Sequence, residues 1–196
     1  MKTLEFLFDV GSAASYLAYT QIPKLARETG AMLEYRPMLL GAVFKATGNR
    51  SPVEVPAKGR YTIVDFARFA KRYRIAIAHN PFFPINTLTL QRGATALQLH
   101  EPTRLVPYLD AVFRAIWVDG KNMNDAATVA AVLGQAGFDP AALLEQTQEP
   151  QVKDRLKAVT QDAIARGVFG APTFFVGEQM FWGQDRLDFV KEALQS

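Results

Sequence analysis

A chain of 196 residues, 49% of them apolar, is long enough for one domain with a sizeable core, and no apolar run reaches the roughly 18 residues of a membrane-spanning helix. The absence of cysteine excludes a disulfide, a thiolate metal site and a cysteine nucleophile of the chain's own, and two distant histidines, His79 and His100, give no metal cluster. A net charge of +3 suits an anionic small ligand but is weak evidence for nucleic acid, and Lys71-Arg72-Tyr73-Arg74, the longest basic cluster, reads as a solvated helix end near a favourable dipole terminus.

Thr3 to Val10 is rich in Phe and Leu and reads as a buried strand. Glu5 and Asp9 interrupt its apolar stretch, so it is not a signal peptide and a cytoplasmic protein is expected. Gly11-Ser12 breaks the strand, and a helix follows to Glu28 or Thr29, closed by Gly30. Ser12 falls at the N-cap, where it is either only a cap or part of an anion site built from the first free amides. Met32 to Pro37 is a second strand, which makes a parallel βαβ unit.

Leu39 to Thr47 is a short helix ended by Gly48-Asn49. Asn49 is either a left-handed helix terminus or a side chain aimed at a ligand, and spacing favours the terminus. Arg50 to Pro56 is irregular, Tyr61 to Tyr73 is a helix, and His79 to Ile85 is a loop stiffened by two prolines. Thr87 to Leu99, Thr103 to Trp117, Asp125 to Ala136, a helix opened by Asp139-Pro140, and Pro150 to Arg166 complete a helical block. Phe169 to Val176 and Gln179 to Trp182 form a hairpin across Gly177-Glu178, and Leu187 to Leu194 is a closing helix. The order βαβ, helices, ββα gives one α/β unit over residues 1–196, with the block from Tyr61 to Arg166 as an insertion.

Two breaks, Gly11-Ser12 and Gly170-Ala171-Pro172-Thr173, are placed to meet at the end of this sheet. Pro172 opens its strand without a ladder donor, and an X–Pro bond at such a bend is a site for a cis peptide, an ordinary trans edge strand being the alternative. A bend there leaves the N–H and C=O of Ala171 free to pair with a peptide-like ligand, as an added strand would.

This arrangement resembles the thioredoxin-like fold of DsbA-type proteins, with Ser12-Ala13-Ala14-Ser15 where their Cys-x-x-Cys redox motif stands. Phe8 to Leu17, Leu40 to Asn49, Val55 to Lys58, Phe169 to Thr173 and Phe181 to Leu187, five stretches in the right order, resemble the family of 2-hydroxychromene-2-carboxylate isomerases and kappa-class glutathione transferases. The resemblance implies glutathione as cofactor, with Ser12 bonded to its sulfur and Asn49 in contact with it. It implies that the Ala171 backbone, ahead of a cis Pro172, pairs with the cysteinyl part, and that Trp182, Gly183, Gln184 and Asp185 hold the γ-glutamyl end. Lys45, Phe83 and Asn86 lie in segments able to line an acceptor pocket for a small aromatic acid. One departure is Ala13, where the family has proline after the serine. The implied activity is isomerisation of 2-hydroxychromene-2-carboxylate in aromatic-compound catabolism, by reversible addition of the glutathione thiolate. A kappa-class transferase and a non-catalytic thiol- or peptide-binding module are the alternatives. A homodimer is expected, without metal, nucleic acid or membrane.

Overall fold

In the computed structural model, which describes residues 1–196, β1 (Thr3–Phe8) lies parallel to β2 (Met32–Pro37) and antiparallel to β3 (Thr173–Val176). β3 turns at Gly177 (φ 59°) into β4 (Gln179–Trp182), giving one mixed sheet in the order β2-β1-β3-β4. Alternation in β1 sends Leu4, Phe6 and Phe8 to one face and Leu7 to the other, and both faces are covered. Phe6 stacks on Phe8 (5.0 Å) and on its cross-strand partner Phe174 (5.5 Å). Each such buried ring contributes about 1.5–3 kcal/mol. Leu7 packs with Met38, Val43, Ala163, Val168 and Phe175. From the inner strand β1 the Glu5 carboxylate meets Arg166 in a two-pronged pair (2.8 Å each) and Arg36 at 2.6 Å. The hydrogen bonds from Arg166 hold the Glu5 carboxyl below its ordinary pKa.

Between β1 and β2 stand two helices, α1 (Ala13–Tyr19) and α2 (Ile22–Thr29), where the sequence predicts one. Pro23 is the reason: it has no N–H for the Tyr19 carbonyl, and its ring would strike that group. Gly30, at φ 66°, closes α2 as expected. α3 (Leu40–Thr47) ends at Gly48 (φ 72°). α4 (Pro56–Tyr73) starts at Pro56 rather than Tyr61, because proline at the first helical position has its φ set and its missing N–H costs nothing. α5 (Leu88–His100), α6 (Leu105–Trp117), α7 (Ala126–Gln135), α8 (Pro140–Gln146) and α9 (Pro150–Ala165) follow, and α10 (Leu187–Gln195) closes the chain. Asp139 caps α8 as the sequence suggests, accepting the N–H groups of Ala141 and Ala142. No single helix is long and apolar enough to cross a membrane.

The loop before α5 is fixed from within. Buried Asn80 donates to the carbonyls of Ile116 and Lys121 (3.0 Å each) and accepts the Phe82 N–H at 2.8 Å. Because β1 and β3 are antiparallel with Leu7 opposite Thr173, the chain leaving β1 and the chain entering β3 meet at the same end of the sheet.

Candidate active site

That meeting point joins the two breaks singled out in the sequence. Ser12 has extended backbone angles (φ −98°, ψ 116°) and caps α1, its Oγ accepting the Ser15 N–H at 3.1 Å. The same hydroxyl donates to the Ala171 carbonyl at 3.2 Å, so Ser12 is more than a cap. The N–H groups of Ala13 and Ala14 donate to no carbonyl of the chain. The Ala171 N–H likewise makes no hydrogen bond, and the Ala171–Pro172 peptide is cis. Ser12, Ala13, Ala14 and Ala171 are all partly exposed.

Around them stand the other expected residues. Asn49 does not take the left-handed position favoured by its spacing: Gly48 does, since glycine adopts φ 72° without a Cβ penalty. The Asn49 amide is freed to donate to the Phe169 carbonyl at 2.7 Å, which ties the end of α3 to the strand-entry loop two residues before Ala171. Trp182 packs on Gly170, where an added Cβ would lie 2.5 Å from the indole nitrogen, and its ring sits 4.9 Å from that of Phe169. The Gly183 N–H donates to the Pro172 carbonyl at 3.0 Å, and its φ of 104° requires glycine.

Gln184 is 4% exposed, and its amide oxygen accepts the Tyr73 hydroxyl at 2.9 Å, so α4 is fastened to the turn Gln184–Arg186. Burial pushes the Tyr73 hydroxyl pKa up, which keeps it a donor. Asp185 is exposed and pairs with its neighbour Arg186 at 2.6 Å. It does not cap α10, whose N-cap is Arg186 without a side-chain bond.

The acceptor-side candidates are more dispersed. Lys45 is exposed in the last turn of α3 and makes no ion pair. Phe83 is half-buried against Trp117 (6.0 Å between rings). Asn86 is exposed, its N–H held by Asn124 at 2.8 Å and its side chain accepting the Leu88 N–H at 3.2 Å. None of the three touches Ser12 through a hydrogen bond. No three His, Asp or Glu side chains are placed to hold a metal ion.

Two residues behind the site escaped the sequence reading. Asp9 is buried beside the Ser12 turn, and an acid in the apolar run Phe6 to Val10 was the available signal, since a buried carboxylate requires donors. Gln91 is wholly buried on α5, and nothing in helical periodicity marks it.

The class of protein follows from this geometry: a thioredoxin-like sheet with a serine turn facing a cis-proline loop. A sequence model described as a DSBA-like thioredoxin domain matches residues 3–195. A 2-hydroxychromene-2-carboxylate isomerase of Sphingobium xenophagum is 34% identical over 98% of both chains. The human glutathione S-transferase kappa 1 is 27% identical, covering 98% of this chain and 91% of its own. The solved structure of a 2-hydroxychromene-2-carboxylate isomerase superposes with a TM-score of 0.86 at 30% identity, over 98% of this chain and 94% of that one. The chain belongs to the DsbA-like thioredoxin domain family, in the branch that holds 2-hydroxychromene-2-carboxylate isomerases and kappa-class glutathione transferases.

Proposed function

We propose that the chain is a glutathione-dependent isomerase interconverting 2-hydroxychromene-2-carboxylate and trans-o-hydroxybenzylidenepyruvate. The observation that carries this reading is the Ser12 hydroxyl at 3.2 Å from the Ala171 carbonyl, beside an Ala171 N–H with no partner, in a chain without a cysteine of its own. The relatives named for this isomerase, 31–34% identical over nearly the whole chain, support it.

The residues fit a cysteinyl peptide. The Ala171 N–H and C=O form one donor–acceptor pair of a strand edge, which an extended ligand backbone complements. Ser12 and the amides of Ala13 and Ala14 suit a sulfur anion. When bound, glutathione supplies the thiolate that adds reversibly to the conjugated acid and allows rotation about the bond made single. The chain's own part is positional and electrostatic. The Ser12 hydroxyl turns from the Ala171 carbonyl to the sulfur, exchanging a long neutral hydrogen bond for a charge-assisted one. The same turn frees the carbonyl for the ligand's backbone, while the Ser15 N–H keeps Oγ in place. Asp185, with Gly183 and Gln184 alongside, takes the γ-glutamyl amino group, Trp182 walls that end, and Asn49 holds the loop. The acceptor lies toward Lys45, Phe83 and Asn86.

A kappa-class transferase is the second reading, favoured by the kappa relatives, and differs in consuming the thiol. The helical block from Tyr61 to Arg166 is, on this reading, an insertion within one catalytic unit. A homodimer and a place in aromatic-compound catabolism rest on the family resemblance, and a cytoplasmic location on the charged residues within the first apolar stretch. The exposed Tyr61, Ile63 and Val64 on α4 offer apolar surface for a second copy. The test of function is turnover of the chromene acid with and without glutathione, with free thiol counted at the end. Isomerisation that needs glutathione and leaves it unconsumed is expected. Thiol loss into a conjugate would favour the transferase, and binding without turnover would refute both.

A further inference from the structure

Asp9 has no part in the chemistry above, yet it sits at the centre of the cleft's frame. It follows β1 directly and is 3% exposed. Its Oδ1 accepts the Gly11 N–H at 2.9 Å, its Oδ2 accepts the Leu40 N–H at 3.0 Å, and the Thr87 hydroxyl lies against the same carboxylate. Its main-chain carbonyl accepts the Ser12 N–H at 3.0 Å. Both hydrogen bonds to the carboxylate come from backbone N–H groups, one on each oxygen, and burial raises its pKa.

The groups around the carboxylate come from three separate stretches. Gly11 belongs to the turn that carries Ser12. Leu40 opens α3, whose far end leads to Asn49. Thr87 ends the loop that holds Phe83 and Asn86. The fit is close: a Cβ on Gly11 would lie 2.8 Å from Thr87 Cγ2 and 3.4 Å from Asp9 Oδ1. From the helical block, Gln91 accepts the Val10 N–H (3.3 Å) and donates to the carbonyls of Phe8 and Met38 (2.8 Å each), and the Trp117 indole donates to the Val10 carbonyl at 2.8 Å. The strand end is therefore tied to the helical block through the main chain of Phe8 and Val10.

We propose that Asp9 is a positioning residue, its buried carboxylate registering the Ser12 turn against α3 and against the loop before α5, so that one group sets both the thiol side and the acceptor side of the cleft. The reaction it serves is the glutathione-dependent isomerisation proposed above; the registration is a property of the chain itself.

Two variants test this in the full chain. Asp9→Asn keeps the shape but presents an NH2 group to one of the two backbone donors. Thr87→Val removes only the hydroxyl, with Thr87→Ser as its rescue. In the ligand-free protein, amide hydrogen exchange at Gly11, Ser12 and Leu40 should quicken about tenfold or more in Asp9→Asn, with β1 core amides unchanged. In the isomerase assay, kcat at saturating glutathione should fall about tenfold in Asp9→Asn and Thr87→Val and hold in Thr87→Ser. Adding Ser12→Ala to Asp9→Asn should cost less than Ser12→Ala alone, because Asp9 acts through Ser12. Unchanged exchange at Gly11 and Leu40, or fully additive losses of kcat, would overturn the proposal. If the parent chain shows no glutathione-dependent turnover, the functional reading fails while exchange still decides the registration. If Asp9→Asn does not fold, the Thr87 pair carries the exchange and rate measurements.

Discussion

Ser12→Ala removes two separable things, and their sizes follow from two hydrogen bonds. The first is the cap on α1, the 3.1 Å bond from the Ser15 N–H, worth about 1 kcal/mol. For a chain of this size that lowers the melting temperature by roughly 2–4 °C. The second is the proposed bond to the glutathione thiolate, worth about 1.5–3 kcal/mol because one partner is charged. At about 1.4 kcal/mol per decade, kcat falls roughly 10- to 150-fold. Ser12→Asp separates the two effects. Aspartate caps as well as serine, so most of the melting temperature returns. Its charge repels the thiolate, so the rate falls below that of Ser12→Ala. The assay is kcat at saturating glutathione beside a melting curve for each variant. A Ser12→Ala variant with lowered melting temperature and unchanged kcat would refute the reasoning and leave Ser12 a cap.

Three further outcomes are expected. Asp185→Asn should raise the glutathione Kd by calorimetry about five- to thirtyfold, the cost of trading a charge-assisted bond for a neutral one, and barely move the melting temperature, because Asp185 is exposed and caps no helix; a lowered melting temperature with an unchanged Kd would contradict the role. Asn49→Ala removes the 2.7 Å bond to the Phe169 carbonyl, a loss of about 1 kcal/mol that should appear as a roughly fivefold weaker glutathione Kd; equal affinity would detach Asn49 from the site. Glu5 has a folded-state pKa below its ordinary 4.5, so its ion pairs stabilise the fold fully above that value and are lost as pH falls through the lowered one. Urea midpoints measured from pH 6 downward should therefore drop less steeply below about pH 4.5 in Glu5→Gln than in the parent, and parallel curves would refute this.

Local rules carried the reading wherever one residue decides the local backbone. Met32–Pro37 is a strand at both predicted ends, Gly30 closes α2, and Asp139-Pro140 opens α8. Ser12 and Ala171 were each visible as the end of a break, and strand order then forces the breaks together. Pro23 was equally visible, but the amphipathic spacing around it argued for one continuous helix, and the lost hydrogen bond won. Asn49 was misread because both Gly48 and Asn49 can take left-handed angles, and only the location of Phe169, far along the chain, gives the Asn49 amide something better to do. The bond from Tyr73 to Gln184 joins residues whose pairing no local pattern encodes. Asp9 belongs with them: its acidity is legible, but its surroundings assemble only when β1, α3 and the loop before α5 are packed.

The central claim is that this chain binds glutathione and stabilises its thiolate through the Ser12 turn. It is tested most directly by titrating bound glutathione, following thiolate absorbance in the ultraviolet, in the parent chain and in Ser12→Ala. A free thiol of this kind ionises near pH 8.5, about as an ordinary cysteine does. The account predicts a bound pKa lower by at least about one unit in the parent, with most of that drop lost in Ser12→Ala. A bound thiol that titrates like the free one, or one lowered equally in both proteins, would contradict it.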